Sequence, residues 1–349
     1  MRFLPRRRPD RQLRRNAISS LPLPLQHPHG SGIRRLGPAD LPELLRALGV
    51  DPVPNVFLLN FARVTGLRPL PNSAAFYGRF DEAGRIVAVL SVGPALMPWA
   101  ADPTQIRSLA AAALQTPRRW TTLLGEESVV DSLWEAIAPH VLPPVQDALE
   151  LWLAATRDEF MPVQLGGLGR RQAPSDYSDG SVRWVDELDQ PDRVVRRSAA
   201  LVPSECVVRR AIPSDLPALL DLRCSLYEEP EGCRLPPRER DRIDRRCRDS
   251  LRQNALFVVE QKNDLIFTAC FSAETPEVTQ ISSVVTRLDR RGQGVGTAAV
   301  SALCRLALAG SERVSLFVEE ANLPAMRVYV KLGLRRVASA RSLRLEKWP

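Results

Sequence analysis

The chain has 349 residues and a formal net charge of +8, and 44% of its residues are hydrophobic. This length allows about two domains of ordinary size, and no apolar run approaches the ~20 residues that a membrane-spanning helix needs. The first 30 residues hold seven arginines against one acid, Asp10, so the rest of the chain is nearly balanced in charge. That balance argues against a nucleic-acid partner for the folded part.

Residues 1–32 are rich in Arg, Pro and Ser and have no sustained periodicity, which predicts a disordered basic tail. The tail lacks the apolar core of a secretory signal. An Arg-rich organelle-targeting segment and a start codon assigned too early remain open alternatives. We therefore expect a cytoplasmic protein whose six cysteines are free thiols. None of these cysteines forms a C-x-x-C pair and the three histidines lie far from them, so no metal site is expected.

The first half, residues 33–156, is predicted to hold a hairpin, two helices and two further strands. The hairpin covers 75–80 and 85–92, the helices 103–114 and 127–138, and the strands 119–124 and 145–154. The segment after Val92 contains two prolines, which lack backbone donors, and no arginine, so it cannot form a phosphate-binding loop. Residues 157–204 are polar and predicted to be a linker with one short strand at 182–185.

An internal repeat links the two halves. Eight positions that begin at Arg34-Arg35 and include Asp40 recur from Arg209-Arg210 and include Asp215. In both copies an edge strand leads into a helix whose first turn carries an acid and a proline. A repeat with such a long period indicates a duplicated architecture. Chance recurrence of a helix-start pattern is the alternative.

The second half, residues 205–349, is predicted to alternate strands and helices. Helices are expected at 214–227, 237–253, 295–309 and 323–332, and strands at 255–261, 264–272, 278–286, 313–319 and 337–346. Between the strand at 278–286 and the next helix lies Arg290-Arg291-Gly292-Gln293-Gly294-Val295-Gly296-Thr297. Glycines let the backbone approach a ligand closely, and a helix N-terminus offers free N–H groups and a positive dipole end. With Arg287 nearby, this loop predicts a pyrophosphate site.

A second signature follows downstream: Asn322-Leu-Pro-Ala325 and, two helical turns after Asn322, Tyr329-x-x-x-Gly333-Leu334. With both motifs at this separation, the chain resembles the GNAT superfamily of acyl-coenzyme A-dependent N-acyltransferases. The resemblance implies an α+β fold of tandem GNAT-like domains, each a mixed, mostly antiparallel sheet flanked by helices. The N-terminal domain is degenerate and its function undefined, and the C-terminal domain is an intact N-acetyltransferase domain.

The resemblance also implies roles for single residues. Acetyl-CoA would be the co-substrate, held by the strand end, the glycine loop and the start of the last helix: Val284, Val285, Thr286, Arg291, Gly292, Gln293, Gly294, Val295, Gly296, Thr297 and Asn322. Tyr329 would be the general acid for the leaving thiolate. An N-cap role for Asn322 and a core role for Tyr329 are the structural alternatives.

The general base is not identified. Where well-studied members often carry a glutamate, this chain has Gln280, which cannot accept a proton usefully at neutral pH. Several acids near the strand ends or after the first helix are candidates: Glu274, Glu277, Glu319, Glu320, Glu228, Glu229 and Glu231. An acidic rim formed by the last three would favour a cationic acceptor.

We therefore expect a cytoplasmic, bacterial enzyme that acetylates a primary amine of a small molecule or peptide. No membrane or nucleic-acid partner is expected, and a homodimer is possible. The alternatives are an aminoacyl-tRNA-dependent transferase, which would need no coenzyme A pyrophosphate loop, and a non-catalytic regulator that binds acyl-CoA.

Overall fold

The computed structural model describes residues 32–70, 73–116, 120–162 and 206–345, with the backbone alone for residue 206 and residues 229–231. The predicted basic tail and the predicted strand at 182–185 lie outside the described residues. The chain divides into two compact units. One runs as far as Trp152 and also includes the chain from Val337 onward, and the other spans Leu153–Arg336.

The first unit is built on a sheet with the strand order β1-β2-β3-β4-β5. Its neighbouring strands are antiparallel except for β4 and β5, which are parallel. The elements are β1 Ile33–Arg35, α1 Leu41–Leu48, α2 Val56–Thr65, β2 Ala75–Phe80, β3 Ile86–Val92, β4 Ala95–Ala100, a 3₁₀ turn Pro103–Leu109 that continues into α3 Ala110–Gln115, β5 Thr122–Glu126, α4 Glu127–Ile137 and β6 Gln146–Thr156.

Two elements of this unit are absent from the sequence prediction. Helix α2 buries Leu58, Leu59 and Ala62 and ends at Gly66, whose φ of 58° is left-handed. Strand β4 contains Pro98, which normally argues against a strand. Strand β4 pairs with β5 only at its first two residues, so the missing N–H of Pro98 removes no bond from that ladder. Tertiary pairing with β3 overrides the local signal.

The second unit is built on the strand order β7-β8-β9-β10-β11. Its pairs are antiparallel except for β10 and β11, which are parallel. The elements are β7 Cys206–Arg210, α5 Leu216–Glu231, α6 Pro237–Arg252, β8 Leu256–Gln261, β9 Asp264–Glu274, β10 Val278–Thr286, α7 Val295–Gly310, β11 Arg313–Val318, α8 Leu323–Lys331 and β12 Arg335–Arg344. This mixed, mostly antiparallel sheet with flanking helices confirms the predicted fold class.

Most of strand β12 belongs to the first unit. Its residues Ala340 to Arg344 pair antiparallel with β5, and Leu343 is fully buried in the core cluster that contains Trp120. Arg341 binds Asp147 and Asp131 through its guanidinium nitrogens, at 2.6 and 2.5 Å. The last strand in sequence thus completes the core of the first unit.

Candidate active site

Strands β10 and β11 are paired over only half of β10. The parallel ladder runs from Val278, opposite Arg313, to Ile281, opposite Leu316, and ends there. On its other edge β10 stays paired with β9 as far as Thr286. The second half of β10 therefore has a backbone edge that the β11 ladder does not use, and such an edge can pair with an extended ligand.

A bulge occurs within this half of β10. Ser283 has a φ of 53°, and the register with β9 shifts between Ser282 and Val285. A left-handed residue of this kind turns the strand and re-aims the following backbone groups. The residues predicted to hold the cofactor arm come next: Val284 is half-buried, while Val285 and Thr286 pair with Thr268 and Phe267 of β9.

The glycine loop turns the chain from β10 into α7. Gly292 and Gly294 have φ values of 73° and 82°, which favour glycine. Gly294 is the N-cap of α7 and has no side chain with which to cap it. A Cβ at Gly296 would lie 3.0 Å from Thr286 Oγ1, so a glycine there permits close packing of helix and strand. The first amides of α7 are therefore available to an anion.

The arginines beside the loop are partly neutralised. Arg287 Nε donates to Asp289 at 2.8 Å, and Arg290 lies 3.5 Å from the same carboxylate. Arg291 donates from Nε to the Thr286 carbonyl at 3.0 Å, and Gln293 donates to the Asp289 carbonyl at 2.8 Å. These bonds fix the shape of the loop. The positive charge near the pyrophosphate site is smaller than three free arginines would give.

The equivalent position in the first unit has a different chemistry. After β4, the 3₁₀ turn that leads into α3 is capped by Asp102, whose carboxylate accepts from Thr104 N at 2.9 Å, and Pro103 follows the cap. A carboxylate occupies the amides there and would repel a phosphate. The predicted absence of a phosphate-binding loop after Val92 agrees with this geometry.

Asn322 and Tyr329 both lie on α8 but differ in environment. Asn322 is exposed at the N-cap, and its Oδ1 accepts from Ala325 N at 3.2 Å. Tyr329 is buried, with 5% of its surface exposed. Burial raises the pKa of Tyr329 above its ordinary value, and the nearby Cys304 raises it further. The phenol is therefore protonated at neutral pH, as a proton donor must be. The roles of both residues in catalysis stay predictions.

The helix-ending Gly333 has a second function besides ending α8. Its φ is 86°, and a Cβ built on it would overlap the carbonyl oxygen of Glu159. The same segment donates from Met161 N to the Leu332 carbonyl at 3.0 Å. A glycine is needed here because another strand of chain packs directly against the helix end.

Gln280 does not face a ligand. It is fully buried, and its Oε1 accepts from the Ser315 hydroxyl of β11. Glu274 and Glu277 lie at the opposite end of β10 from the glycine loop. Six residues of strand separate Glu277 from Ser283, which is about 20 Å at ~3.3 Å per residue. These two acids are therefore too far from the bulge to act directly as the base.

The remaining acids divide into two groups. Glu228 accepts from Leu235 N at 3.0 Å, which is a structural role, and the side chains of Glu229 and Glu231 lie outside the described residues. Glu319 and Glu320 are exposed directly after β11, at the end where β10 and β11 separate. Of the acids with described side chains, these two are the best placed to act as a base, directly or through water.

Within the described ranges, no group of three or more His, Cys, Asp or Glu side chains could hold a metal ion. The cysteines with described side chains are free: Cys224, Cys233, Cys247, Cys270 and Cys304. Burial raises the pKa of Cys304 to about 12. Of the helices that the structure describes, none has the length and apolar character needed to cross a membrane.

Comparison with known proteins agrees with this geometry. Residues 216–334 match the model of the acetyltransferase (GNAT) family, and residues 74–147 match a domain of unknown function, DUF4081. A search of curated proteins found no match.

Solved structures resemble nearly the whole chain. A Drosophila protein from a structural genomics programme shares 13% identity at a TM-score of 0.60, over 90% of this chain and 99% of that one. A tandem GNAT protein from the clavulanic acid biosynthesis pathway shares 13% at 0.51, over 89% and 97%. A GCN5-related N-acetyltransferase from Sphaerobacter thermophilus shares 16% at 0.50, over 91% and 96%. At these identities the likeness concerns the fold.

Proposed function

We propose that this protein, in which residues 216–334 form a domain of the acetyltransferase (GNAT) family, transfers an acetyl group from acetyl-CoA to a primary amine. The observation that carries the proposal is the separation of β10 from β11 after Ile281, directly before a helix that begins at the bare N-cap Gly294. An unpaired strand edge and an open helix N-terminus suit the two ends of one long ligand, an extended amide-containing arm and a pyrophosphate.

The residues fit acetyl-CoA in three ways. Gly292, Gly294 and Gly296 leave room for phosphate oxygens against the backbone, and the first amides of α7 can donate to them. The edge of β10 at Val284 and Thr286 can pair with the pantetheine arm. Bound acetyl-CoA supplies the activated thioester and a thiol leaving group.

The protein's own contribution is to polarise, position and exchange protons. A backbone N–H on the free half of β10 would donate to the thioester carbonyl, which is the usual way of stabilising charge that develops on oxygen. Tyr329, kept protonated by burial, is the candidate donor to the leaving thiolate. Glu319 or Glu320 is the candidate base for the acceptor ammonium group, because both lie where the strands separate.

One cofactor site per chain is expected. The helix that follows β4 begins at the capped Asp102 and Pro103, so the first unit has no bare N-terminus at the matching place. This asymmetry favours a transferase with one acyl-CoA site over an aminoacyl-tRNA-dependent transferase, which would need no pyrophosphate loop. A regulator that binds acyl-CoA without turnover is the remaining competitor, and it differs only in the rate of transfer.

Isothermal calorimetry on the full chain tests the cofactor site. Acetyl-CoA should bind the wild type with one site per chain, and Gly294→Glu should remove most of the affinity through repulsion and overlap at the helix N-terminus. Gly84→Glu is the matched control, because Gly84 also has a positive φ, 74°, but lies in the open turn between β2 and β3. Equal loss in both variants, or no loss in Gly294→Glu, would contradict the site.

Transfer is tested separately with a panel of amines and a thiol-reactive dye that reports free coenzyme A. Release of coenzyme A that depends on an added amine supports the enzyme. Binding of acetyl-CoA without amine-dependent release across the panel would favour the regulator.

A further inference from the structure

A buried arginine lies at the bulge of β10. Arg223, on α5, is only 7% exposed, and its Nη1 donates to the Ser283 carbonyl at 3.3 Å. Ser283 is the left-handed residue of the bulge. On the other side of the guanidinium, Nη2 lies 3.9 Å from Cys270 Sγ, which in turn lies 3.0 Å from Ser282 Oγ. The cation is thus held against the point where β10 begins its free half.

The described contacts of Arg223 leave its charge uncompensated. They are a backbone carbonyl, the Cys270 thiol and the Cys247 thiol, and no described carboxylate forms an ion pair with it. A guanidinium has five N–H donors. Burying a charge is costly unless the charge is paired and hydrogen-bonded. An anion placed against Arg223 would supply both the missing charge and the missing acceptors.

Two further arginines on α6 lie close to this position. The pKa of Arg246 is lowered by desolvation and by the nearby positive charges of Arg242 and Arg223, while Tyr227 and Glu239 act in the opposite direction. Glu239 lies 3.8 Å from Arg242. Three arginines thus share one described carboxylate. We name Arg223, Arg242 and Arg246 the arginine cluster.

The cluster faces the same reaction centre as the proposed acetyl site. Helix α5 packs on β9 and β10 as well as on α6, and Arg223 contacts the bulge directly. Val284, the first residue of the predicted thioester-binding segment, follows Ser283. A group bound by the arginine cluster would therefore lie beside the carbonyl that an acceptor amine has to attack.

We propose that the arginine cluster binds an anionic oxygen group, a carboxylate or a phosphate, on the acceptor, so that the acceptor is an anionic amine and not a polyamine. The inference rests on the proposed function for the position of the thioester. It reverses the expectation of a cationic acceptor that the sequence raised from Glu228, Glu229 and Glu231. Planar guanidinium groups bind both carboxylates and phosphates through paired hydrogen bonds, and repulsion by three of them disfavours a polyamine.

Matched pairs of amines test the inference on the full chain with acetyl-CoA. Tyrosine is compared with tyramine, ornithine with putrescine, and glucosamine 6-phosphate with glucosamine. In at least one pair the anionic member should have a kcat/KM at least tenfold higher than its uncharged or cationic partner. The first two pairs report a carboxylate and the third a phosphate. Equal or better turnover of the partners that lack the anion would overturn the proposal while leaving acetyl transfer intact.

Variants of α6 locate the effect, because Arg223 is buried and its replacement can unfold the protein. Arg246→Gln should raise the KM of the preferred anionic amine at least tenfold and leave the KM for acetyl-CoA unchanged. Arg248→Gln is the control, since Arg248 lies on the same helix, is exposed and pairs with Asp244 at 2.8 Å. An equal response of the two variants would contradict the assignment.

A binding measurement covers the case in which none of the six amines reacts. Calorimetry with malonate and with inorganic phosphate should detect binding of at least one of them, and Arg246→Gln should weaken it at least tenfold. Binding of acetyl-CoA is measured in the same experiment. Loss of acetyl-CoA binding alone would count against the proposed function, whereas absence of turnover together with absence of anion binding would reject the arginine cluster.

Discussion

Arg209 donates two hydrogen bonds to Asp215, from Nη1 to Oδ2 at 2.6 Å and from Nη2 to Oδ1 at 2.9 Å. In the first unit Arg34 donates to Asp40 in the same way, at 2.7 and 2.5 Å. The carboxylate of each pair also accepts a backbone N–H three residues earlier, both at 2.8 Å. The eight-position repeat therefore corresponds to one structural device used twice, which is what a duplicated architecture requires.

The two copies should differ in their contribution to stability. The side chains of Arg209 and Asp215 are 10% and 9% exposed, whereas that of Arg34 is 41% exposed. Hydrogen bonds to charged groups contribute about 1.5–3 kcal/mol when buried, and solvent weakens exposed pairs. We expect Asp215→Asn to lower the free energy of unfolding by about 2 kcal/mol and Asp40→Asn by about 1 kcal/mol, measured by urea denaturation. Equal losses would mean that exposure does not decide the difference.

The Asp40 pair should also depend on pH in the acid range. Hydrogen bonds from Arg34 hold the pKa of Asp40 below its usual value. Because the folded-state pKa lies below the unfolded value of about 3.9, the stabilisation is present above that pH and is lost as the pH falls through the folded pKa. The difference in melting temperature between wild type and Asp40→Asn should be constant from pH 7 to about 5 and shrink below about pH 4. A difference that grows on acidification would contradict this sign.

Strand β12 should stabilise the first unit. Leu343 is fully buried in the cluster around Trp120, while its neighbour Ser342 is half-buried on the other face of the strand. Leu-to-Ala changes in cores cost about 2–5 kcal/mol. Leu343→Ala should lower the denaturant midpoint followed by tryptophan fluorescence, because Trp120 reports the same cluster. Ser342→Ala is the matched control and should leave the midpoint almost unchanged. If Leu343→Ala leaves the tryptophan-reported transition in place, β12 does not support that core.

These units show where sequence reasoning succeeded and where it could not reach. The order of elements from β7 to β12 followed from periodicity, and β10 has the predicted bounds. The glycine loop was found because positive φ values and a bare N-cap leave a mark in composition. The placement of β12 in the first unit could not be predicted, because alternation along a strand shows which face is buried but not which partner the strand joins.

The same limit applies to the site. Gln280 was recognised as a poor base, but its fully buried bond to Ser315 depends on β11, which is distant in sequence. Arg223 was not singled out, because one arginine in a helix among many arginines has no distinguishing spacing. Only its contact with the Ser283 carbonyl reveals it. Strand β4 was missed because Pro98 outweighs the apolar residues around it in any local interpretation.

Gly333 should tolerate no side chain. Its φ of 86° is unfavourable for other residues, and a Cβ would overlap the Glu159 carbonyl oxygen while lying 3.2 Å from Met161 N. Strain at a left-handed position costs about 1–3 kcal/mol before any overlap is added. Gly333→Ala should therefore lower the free energy of unfolding by at least about 2 kcal/mol. Gly310→Ala, in α7 where a Cβ would meet nothing within 4 Å, is the control and should be neutral or slightly stabilising. Similar melting temperatures for the two variants would show that the segment at Glu159 yields.

The role of Tyr329 is open to a direct kinetic test. If it protonates the leaving thiolate, Tyr329→Phe should lower the rate of acyl transfer by roughly 10–10³-fold, the range usual for general acids. Affinity for acetyl-CoA should change little, because the predicted contacts to the phosphates and the pantetheine arm lie elsewhere. Tyr77→Phe removes a hydroxyl from a half-buried tyrosine of the first unit, near Thr116, and should leave the rate unchanged.

The pH profile distinguishes a catalytic from a packing role. Burial and Cys304 raise the pKa of Tyr329, so the phenol stays protonated and competent as an acid through the ordinary tyrosine pKa of about 10. We therefore expect wild-type kcat to show no loss near pH 10 that Tyr329→Phe abolishes. Weaker acetyl-CoA binding with an unchanged rate at saturation would make Tyr329 a packing residue. If rate and binding are both unchanged, the proton comes from water, and α8 contributes only its shape to the site.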